Sequence, residues 1–434
     1  MTALGFAAAS PSLMDGWLPV TAQVVTAVLL FAAVGYRSRR WLVVGMPALV
    51  ALGVAAALVA HSVFTTLGLA SEPAPLALWV WVALTALALG NLVAGWRGDG
   101  WARRNLCALA TSLCLLSTGL TINGWIGYFP TVYTAWNQLT SGPLPDETDW
   151  AAVRERQRVA DGSGPGAVLK IDTGSAASGF THRTEYVYLP PAWFRTTPPP
   201  PLPTVMMIGG QFNTPGDWLR AGDAVATLDA FATQHGGNAP VAVFVDPNGS
   251  FANDTECVNG SRGNAADHLT KDVVPHVIAA FGTSPRRSDW GVVGFSSGGT
   301  CAVDLTVMHP ELFSAFVDVA GDLGPNAGDR EQTIDRLFGG DAQAWSRFDP
   351  VTAMARHGRY TGVAGLFVVP EPDEKSARIA RTLCDAGTAQ GITCAVVARP
   401  GRHVWPFGST AFATTLPWLA ATIRTPGVPP APVP

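Results

Sequence analysis

Charge is scarce in this chain. Only 14% of its 434 residues are Asp, Glu, Lys or Arg, against about 25% in a typical soluble domain. Lysine occurs only as Lys170, Lys271 and Lys375, and the formal net charge is −4. No basic surface for nucleic acid is expected from such a composition. The chain lacks a phosphate-binding glycine loop, and its six cysteines and eight histidines show no zinc-ligand spacing. With 48% hydrophobic residues, it is too apolar for a disordered chain. The scarcity of charge is also uneven. Residues 1–130 carry nine charges (Asp15, Arg37, Arg39, Arg40, Glu72, Arg97, Asp99, Arg103 and Arg104), and the other 51 of the 60 follow. Two objects are therefore joined: an apolar N-terminal third and a mixed, globular remainder.

Four long runs, 18–36, 41–64, 76–96 and 105–129, have no charged residue in their apolar bodies. Each has the roughly 20 residues that cross a ~30 Å hydrocarbon core as helix. Trp17, Tyr36, Trp41, Trp96, Trp101, Trp125 and Tyr128 stand near their ends, where amphipathic rings anchor at the interface. Arg37, Arg39 and Arg40 follow the first run, and Arg97, Arg103 and Arg104 follow the third. The positive-inside rule places both clusters in the cytoplasm. Both termini, and everything after residue 130, are then expected outside the cell membrane. A cleaved signal peptide would begin with basic residues, which the stretch before the first run lacks.

Residues 131–165 read as a juxtamembrane connector, in which Asp146-Glu147-Thr148-Asp149-Trp150 opens a short helix that runs through 153–159. Two β-rich runs, 167–172 and 182–189, read as a hairpin. From residue 202 short β-branched runs alternate with helical ones. Strands are expected at 204–208, 241–246, 290–294, 316–319, 364–369 and 393–398. Helices are expected at 217–235, 265–281, 297–309, 374–390 and 407–423, with an irregular insertion to about 360. This alternation predicts an α/β fold: a mainly parallel sheet with helices on both faces, over residues 166–425. Residues 426–434 are a Pro-rich tail expected to lack fixed structure.

The sharpest chemical signal is Gly294-Phe295-Ser296-Ser297-Gly298-Gly299, a G-x-S-x-G run between a predicted strand and a predicted helix. Such a turn is too tight for side chains beside the serine, which then projects from the strand end on strained backbone. A serine hydroxyl needs a base, and the expected chain order is Ser, acid, His. His403, after the last strand, stands where that base belongs. The acid is expected in the loop Pro370-Glu371-Pro372-Asp373-Glu374, with Asp373 first and Glu371 as the alternative. An oxyanion hole needs two backbone N–H groups. They are expected from Ser297 and from the loop Gly209-Gly210-Gln211-Phe212-Asn213, with Gln211 first and Phe212 second.

These motifs, together with Trp405 and the run Asp246-Pro247-Asn248-Gly249, resemble the esterase D / mycolyltransferase-like branch of the α/β-hydrolases over roughly residues 167–423. The resemblance implies a serine esterase or acyltransferase with an acyl-enzyme intermediate and no metal or organic cofactor. The acid loop departs from the family's glycine-rich pattern. Asp246, Asn248, Asp254 and Glu256 do not match a calcium loop and read as a hydrogen-bonded turn.

The four cysteines beyond the apolar third, Cys257, Cys301, Cys384 and Cys394, suit disulfides in an oxidising compartment. Three pairings are possible. Cys384–Cys394 and Cys257–Cys301 are preferred, the first joining a helix end to the next strand and the second bracing the turn at Ser296. The expected function is a membrane-anchored, extracytoplasmic serine esterase acting on an acyl ester, lipid or glycolipid esters included. The alternatives are an acyltransferase that passes the acyl group to a sugar or lipid hydroxyl, and a non-catalytic envelope scaffold. Membrane lipid is the other expected partner. The sequence does not give the oligomeric state.

Overall fold

The computed structural model describes residues 10–67, 74–96, 100–140, 144–160 and 162–434. The chain divides into two compact units, Met1–Ser141 and Gly142–Pro434.

The first unit is built from four long helices: α1 (Trp17–Val34), α2 (Met46–Leu67), α3 (Leu76–Gly95) and α4 (Trp101–Ile126). A wide π-turn, Trp41–Gly45, leads into α2. All four spans are long and apolar enough to cross a membrane. Val24, Val28 and, at 84%, Phe31 are exposed on α1, and Leu58 and Val59 on α2. A helix hydrophobic all round suits lipid rather than water. Between the helices, Leu30, Ala33, Ala88 and Ala110 pack together, and polar side chains add hydrogen bonds as in membrane bundles. Ser117 Oγ donates to Thr26 Oγ1 at 3.0 Å, and Asn91 Nδ2 donates to the Ala33 carbonyl at 3.3 Å.

One boundary differs from the expected one. Helix α4 starts at Trp101, so Arg103 and Arg104 belong to its first turn. The Arg103 guanidinium donates to the Val34 carbonyl at 3.1 Å. It thereby satisfies the C-terminal end of α1, where carbonyls lack helical partners and positive charge is favoured. Glu72, Arg97 and Asp99, which enter the orientation argument, lie outside the described residues.

The second unit carries an eight-stranded sheet: β1 (Ala167–Ile171), β2 (Glu185–Leu189), β3 (Thr204–Ile208), β4 (Val241–Val245), β5 (Trp290–Phe295), β6 (Ala315–Val319), β7 (Ala364–Pro370) and β8 (Thr393–Arg399). Their order across the sheet is β1-β2-β4-β3-β5-β6-β7-β8. The β1–β2 and β2–β4 pairs are antiparallel and the rest parallel. This is the α/β-hydrolase arrangement. Every residue of β3, β4, β5 and β6 is buried, as expected of strands covered on both faces. Strand order reverses beside β3, and ligands of open α/β sheets bind at such switch points, beyond the carboxyl ends of the strands.

The helices that position the site are α5 (Ala224–Gln234), α6 (Ser297–Met308), α7 (Glu374–Ala389) and α8 (Trp405–Thr422). Two expected helices are interrupted. Residues 217–235 split into Gly216–Arg220 and α5, because Asp223 takes a left-handed φ of 51°. Residues 265–281 widen into a π-turn at His268–Val273, just before Pro275, which has no N–H to continue the ladder. The insertion after β6 holds three short helices whose N-caps are Asp329, Asp341 and Asp349. Helix α8 starts two residues before the expected 407, with Pro406 in its first turn. Residues 426–434 carry no helix or strand.

Candidate active site

Strand β5 delivers Ser296 to the switch point. Its backbone sits at φ 60°, ψ −129°, a conformation rarely adopted outside glycine, and α6 begins at the next residue. The turn closes because Gly294 and Gly298 have no side chains. A Cβ on Gly294 would run into the Gly298 carbonyl, and one on Gly298 into the Ile208 carbonyl. The Ser296 N–H donates to the Val319 carbonyl at 2.9 Å and ties the turn to β6. Ser297 is the first residue of α6, where backbone N–H groups lack helical acceptors and the dipole favours negative charge.

His403 lies in the loop after β8. Its ring is 5.1 Å from that of Phe295, the residue before Ser296, and Phe295 also meets Trp405 at 5.2 Å. Asp373 lies in the loop after β7, the strand beside β8. The two loops are joined by the Glu371 N–H, which donates to the Arg399 carbonyl at 2.8 Å. Asp373 is half-buried, and both Glu371 and Glu374 are exposed. The Asp373 carboxylate caps α7: it accepts from the Ser376 N–H at 3.0 Å and from the Ser376 hydroxyl at 2.5 Å. Burial alone would raise its pKa. The Ser376 and Lys375 donors and the charge of nearby His403 outweigh that and hold it below the usual carboxylate range. Ser296, His403 and Asp373 thus all stand at the carboxyl edge of the sheet.

The loop after β3 presses on Ser296 from the other side. A Cβ on Gly210 would lie 2.8 Å from Ser296 Cβ and 3.0 Å from the Phe295 carbonyl. The Gly210 N–H donates to Asn213 Oδ1 at 2.8 Å, and the Asn213 N–H to the Gly210 carbonyl at 3.2 Å. With those two amides engaged, Gln211 and Phe212 are what the loop tip has to offer an oxyanion. Phe212 is held at a left-handed φ of 65°, and its ring packs 5.1 Å from exposed Phe251. A cavity of about 570 Å³ is lined by Asp322, Arg330, Trp345, Asp349, Lys375 and Arg378, among others. The Asp322 N–H donates to Thr300 Oγ1 of α6, which keeps that cavity close to the elbow.

The disulfides are Cys257–Cys301 and Cys384–Cys394. The first fastens the segment after β4 to α6, five residues beyond Ser296. Cys107 and Cys114 are buried in α4 and take part in neither disulfide.

Sequence reasoning missed a buried polar network behind the β3 loop. Arg183 and Asp246 form its ion pair, at 2.6 Å. Asp246 also accepts from the Asn248 and Gly249 N–H groups, the local turn that the sequence did suggest. Its partner was illegible because Arg183 lies 63 positions away. His182, Glu185 and His268 stand close enough to hold a metal ion. Their geometry does not favour one. His182 Nδ1 pairs with the Arg183 carbonyl at 2.9 Å, and the two imidazoles stack at 4.4 Å with planes 21° apart, so they do not converge on a common point. His268 instead bridges two carboxylates, with Nε2 3.2 Å from Glu185 and Nδ1 3.5 Å from Asp272. Burial opposes its charge, but those carboxylates prevail and raise its pKa.

The chain is similar to several known proteins. A curated relative, an uncharacterized protein of Corynebacterium glutamicum, is 28% identical over 336 residues, covering 73% of this chain and 76% of its own. Among solved structures, an S-formylglutathione hydrolase from Agrobacterium tumefaciens is 20% identical at a TM-score of 0.49, over 60% of this chain and 97% of that one. MPT51 of Mycobacterium tuberculosis is 17% identical at a TM-score of 0.43, over 60% of this chain and all of that one. Residues 180–405, from the β2 approach to the start of α8, match the model of the family described as "Putative esterase". Since that match spans more than half of the chain, the protein belongs to this esterase family of α/β-hydrolases.

Proposed function

We propose that the second unit is a serine esterase that cleaves carboxylic esters through an acyl-enzyme, with Ser296 as nucleophile, His403 as general base and Asp373 as the orienting acid. The observation that carries this reading is the strained backbone of Ser296, at φ 60° and ψ −129°, on a strand-to-helix turn that only glycine neighbours permit. Strain of about 1–3 kcal/mol persists only where the surrounding structure over-determines it, and such residues cluster at active sites.

In this mechanism His403 takes the Ser296 proton as the hydroxyl attacks the ester carbonyl. The tetrahedral oxyanion is held by the Ser297 N–H and by the N–H of Gln211, with Phe212 as the alternative. His403 then returns the proton to the leaving alkoxide, and water repeats the sequence on the acyl-enzyme. Asp373 fixes the imidazole tautomer and stabilises the imidazolium without itself taking the proton. No metal or organic cofactor is needed for any step.

The four apolar helices make the protein multi-pass in this reading, with the esterase unit outside the membrane. Two disulfides in that unit support the assignment, since disulfides persist in oxidising compartments. A fluorophosphonate probe tests the chemistry: the wild type is labelled and turns over a short acyl ester, and Ser296→Ala does neither. Turnover retained in Ser296→Ala would sink the mechanism. Exclusive transfer to an added sugar or alcohol, with no hydrolysis, would replace the esterase by an acyltransferase.

A further inference from the structure

The β3 loop is braced from behind by a chain of hydrogen bonds that starts two strands away. Asp246 follows β4 directly and is fully buried. Its N–H donates to Glu185 Oε1 at 2.8 Å, which ties it to β2. Its carboxylate receives Arg183 three times: Nη2 on Oδ1 at 2.6 Å, Nε on Oδ2 at 3.0 Å, and the Arg183 backbone N–H on Oδ2 at 2.6 Å. The same Arg183 Nη2 reaches forward and donates to the Asn213 carbonyl at 2.7 Å. Asn213 in turn closes the turn on the Gly210 N–H, and Gly210 lies against Ser296. Each link is short, and the middle of the chain is shielded from water.

We propose that Arg183 and Asp246 are positioning residues for catalysis, holding the 209–213 loop so that its tip amides face the oxyanion at Ser296. The inference rests on the serine-esterase reading. Guanidinium suits the task because its planar fork can grip a carboxylate with two N–H groups and still present a donor to a carbonyl; an ammonium cannot do this in fixed geometry. Asp246 gives Arg183 a fixed orientation, since the Asn248 and Gly249 N–H groups already define where its oxygens point. Neither side chain touches the ester. Both act through Asn213 and Gly210, the two residues that close the turn. A displacement of about 1 Å at such a loop is enough to cost roughly 100-fold in rate, because the oxyanion donors act only when aimed at the developing charge.

The test uses the full-length chain in detergent, with Arg183→Gln, Arg183→Lys and Asp246→Asn. Two readouts are taken. The first is kcat and KM per active site, counted by fluorophosphonate titration so that misfolded molecules drop out. The second is hydrogen exchange of the peptide spanning residues 209–216, against a control peptide from α6. The expected result is a loss of about 10- to 100-fold in kcat per titrated site with KM within about threefold. The lysine variant should stand above the glutamine one, and exchange should rise in 209–216 but not in α6. A purely structural role would lower the number of titratable sites and leave kcat per site at the wild-type value; that outcome overturns the proposal. Unchanged exchange in 209–216 overturns it as well. If the wild type neither labels nor turns over esters, the esterase reading fails by itself, and the exchange result still decides whether the pair holds the loop. Should Arg183→Gln not fold, Arg183→Lys and Asp246→Asn carry both readouts.

Discussion

Asp373 caps a helix in this structure, the proposed mechanism gives it a second role as the triad acid, and the two can be separated. It caps α7 through Ser376, and it is the loop carboxylate whose acidity responds to His403. Alanine removes both functions, whereas serine is a good N-cap and a useless triad acid. Turnover of a short acyl ester is expected to fall by about 10⁴-fold in both Asp373→Ala and Asp373→Ser. Thermal melting is expected to fall only in Asp373→Ala, by the about 1 kcal/mol that a lost cap costs. Glu371→Ala should keep activity within a few-fold; a dead Glu371→Ala would transfer the acid role and leave the fold untouched. The choice between these two carboxylates was only weakly legible in the sequence. Both lie in one proline-stiffened loop, and what separates them is burial: Asp373 is half-covered and Glu371 is exposed.

Among the elements, the sheet and the elbow were readable because their signals are local. Alternating β-branched runs specify the strands, and the G-x-S-x-G run specifies the turn. The breaks within helices were not readable, since they depend on single residues such as Asp223 in a left-handed conformation. The disulfides act on elements too. They close segments of 44 and 10 residues, for which the chain-entropy model gives roughly 4 and 3 kcal/mol. Replacing Cys257 and Cys301 by alanine should therefore lower the melting temperature more than replacing Cys384 and Cys394, as read by thermal denaturation without reductant. It should also reduce turnover, because Cys301 holds α6 just behind Ser296. Equal melting temperatures for the two double variants would contradict this ranking.

For the whole molecule, buried carboxyl groups set how stability depends on pH. Asp318, at the end of β6, is buried, and burial together with nearby Asp322 raises its pKa from 3.8 to about 7, despite the opposing Gly321 N–H. As pH rises from about 4 to about 7, the unfolded chain gives up this proton before the folded one does. Stability therefore falls through that window. Asp246, Asp289 and Asp373 work in the opposite sense: burial opposes their charge, but their donors hold them low, so they lose their stabilising effect only below about pH 4. Asp318→Asn keeps the carbonyl that accepts from Gly321. It should raise the melting temperature at pH 8 and leave it unchanged at pH 4. An unchanged value at pH 8 would mean that Asp318 ionises there at no cost.

Membrane orientation belongs to the same scale. A cysteine placed at position 146 should react with an impermeant reagent from outside intact cells, and one at position 99 should not. The reverse pattern would overturn the proposed orientation and the compartment inferred from the disulfides.

The sequence by itself determined the division into an apolar third and an α/β-hydrolase unit, the number of long apolar helices, and Ser296 as candidate nucleophile. These follow from composition, period and a five-residue motif, all of which are local in the chain. Only the tertiary structure decided that Arg183, Asp246 and Asn213 form one hydrogen-bonded chain behind the 209–213 loop, that His268 sits between Glu185 and Asp272, and that Asp318 is buried deeply enough to hold its proton near neutrality. The physical reason is that pairing and desolvation depend on distance in space. Arg183 and Asp246, 63 positions apart, meet because the strands β2 and β4 lie side by side, and His268 reaches Glu185, 83 positions back, from the helical run that follows β4.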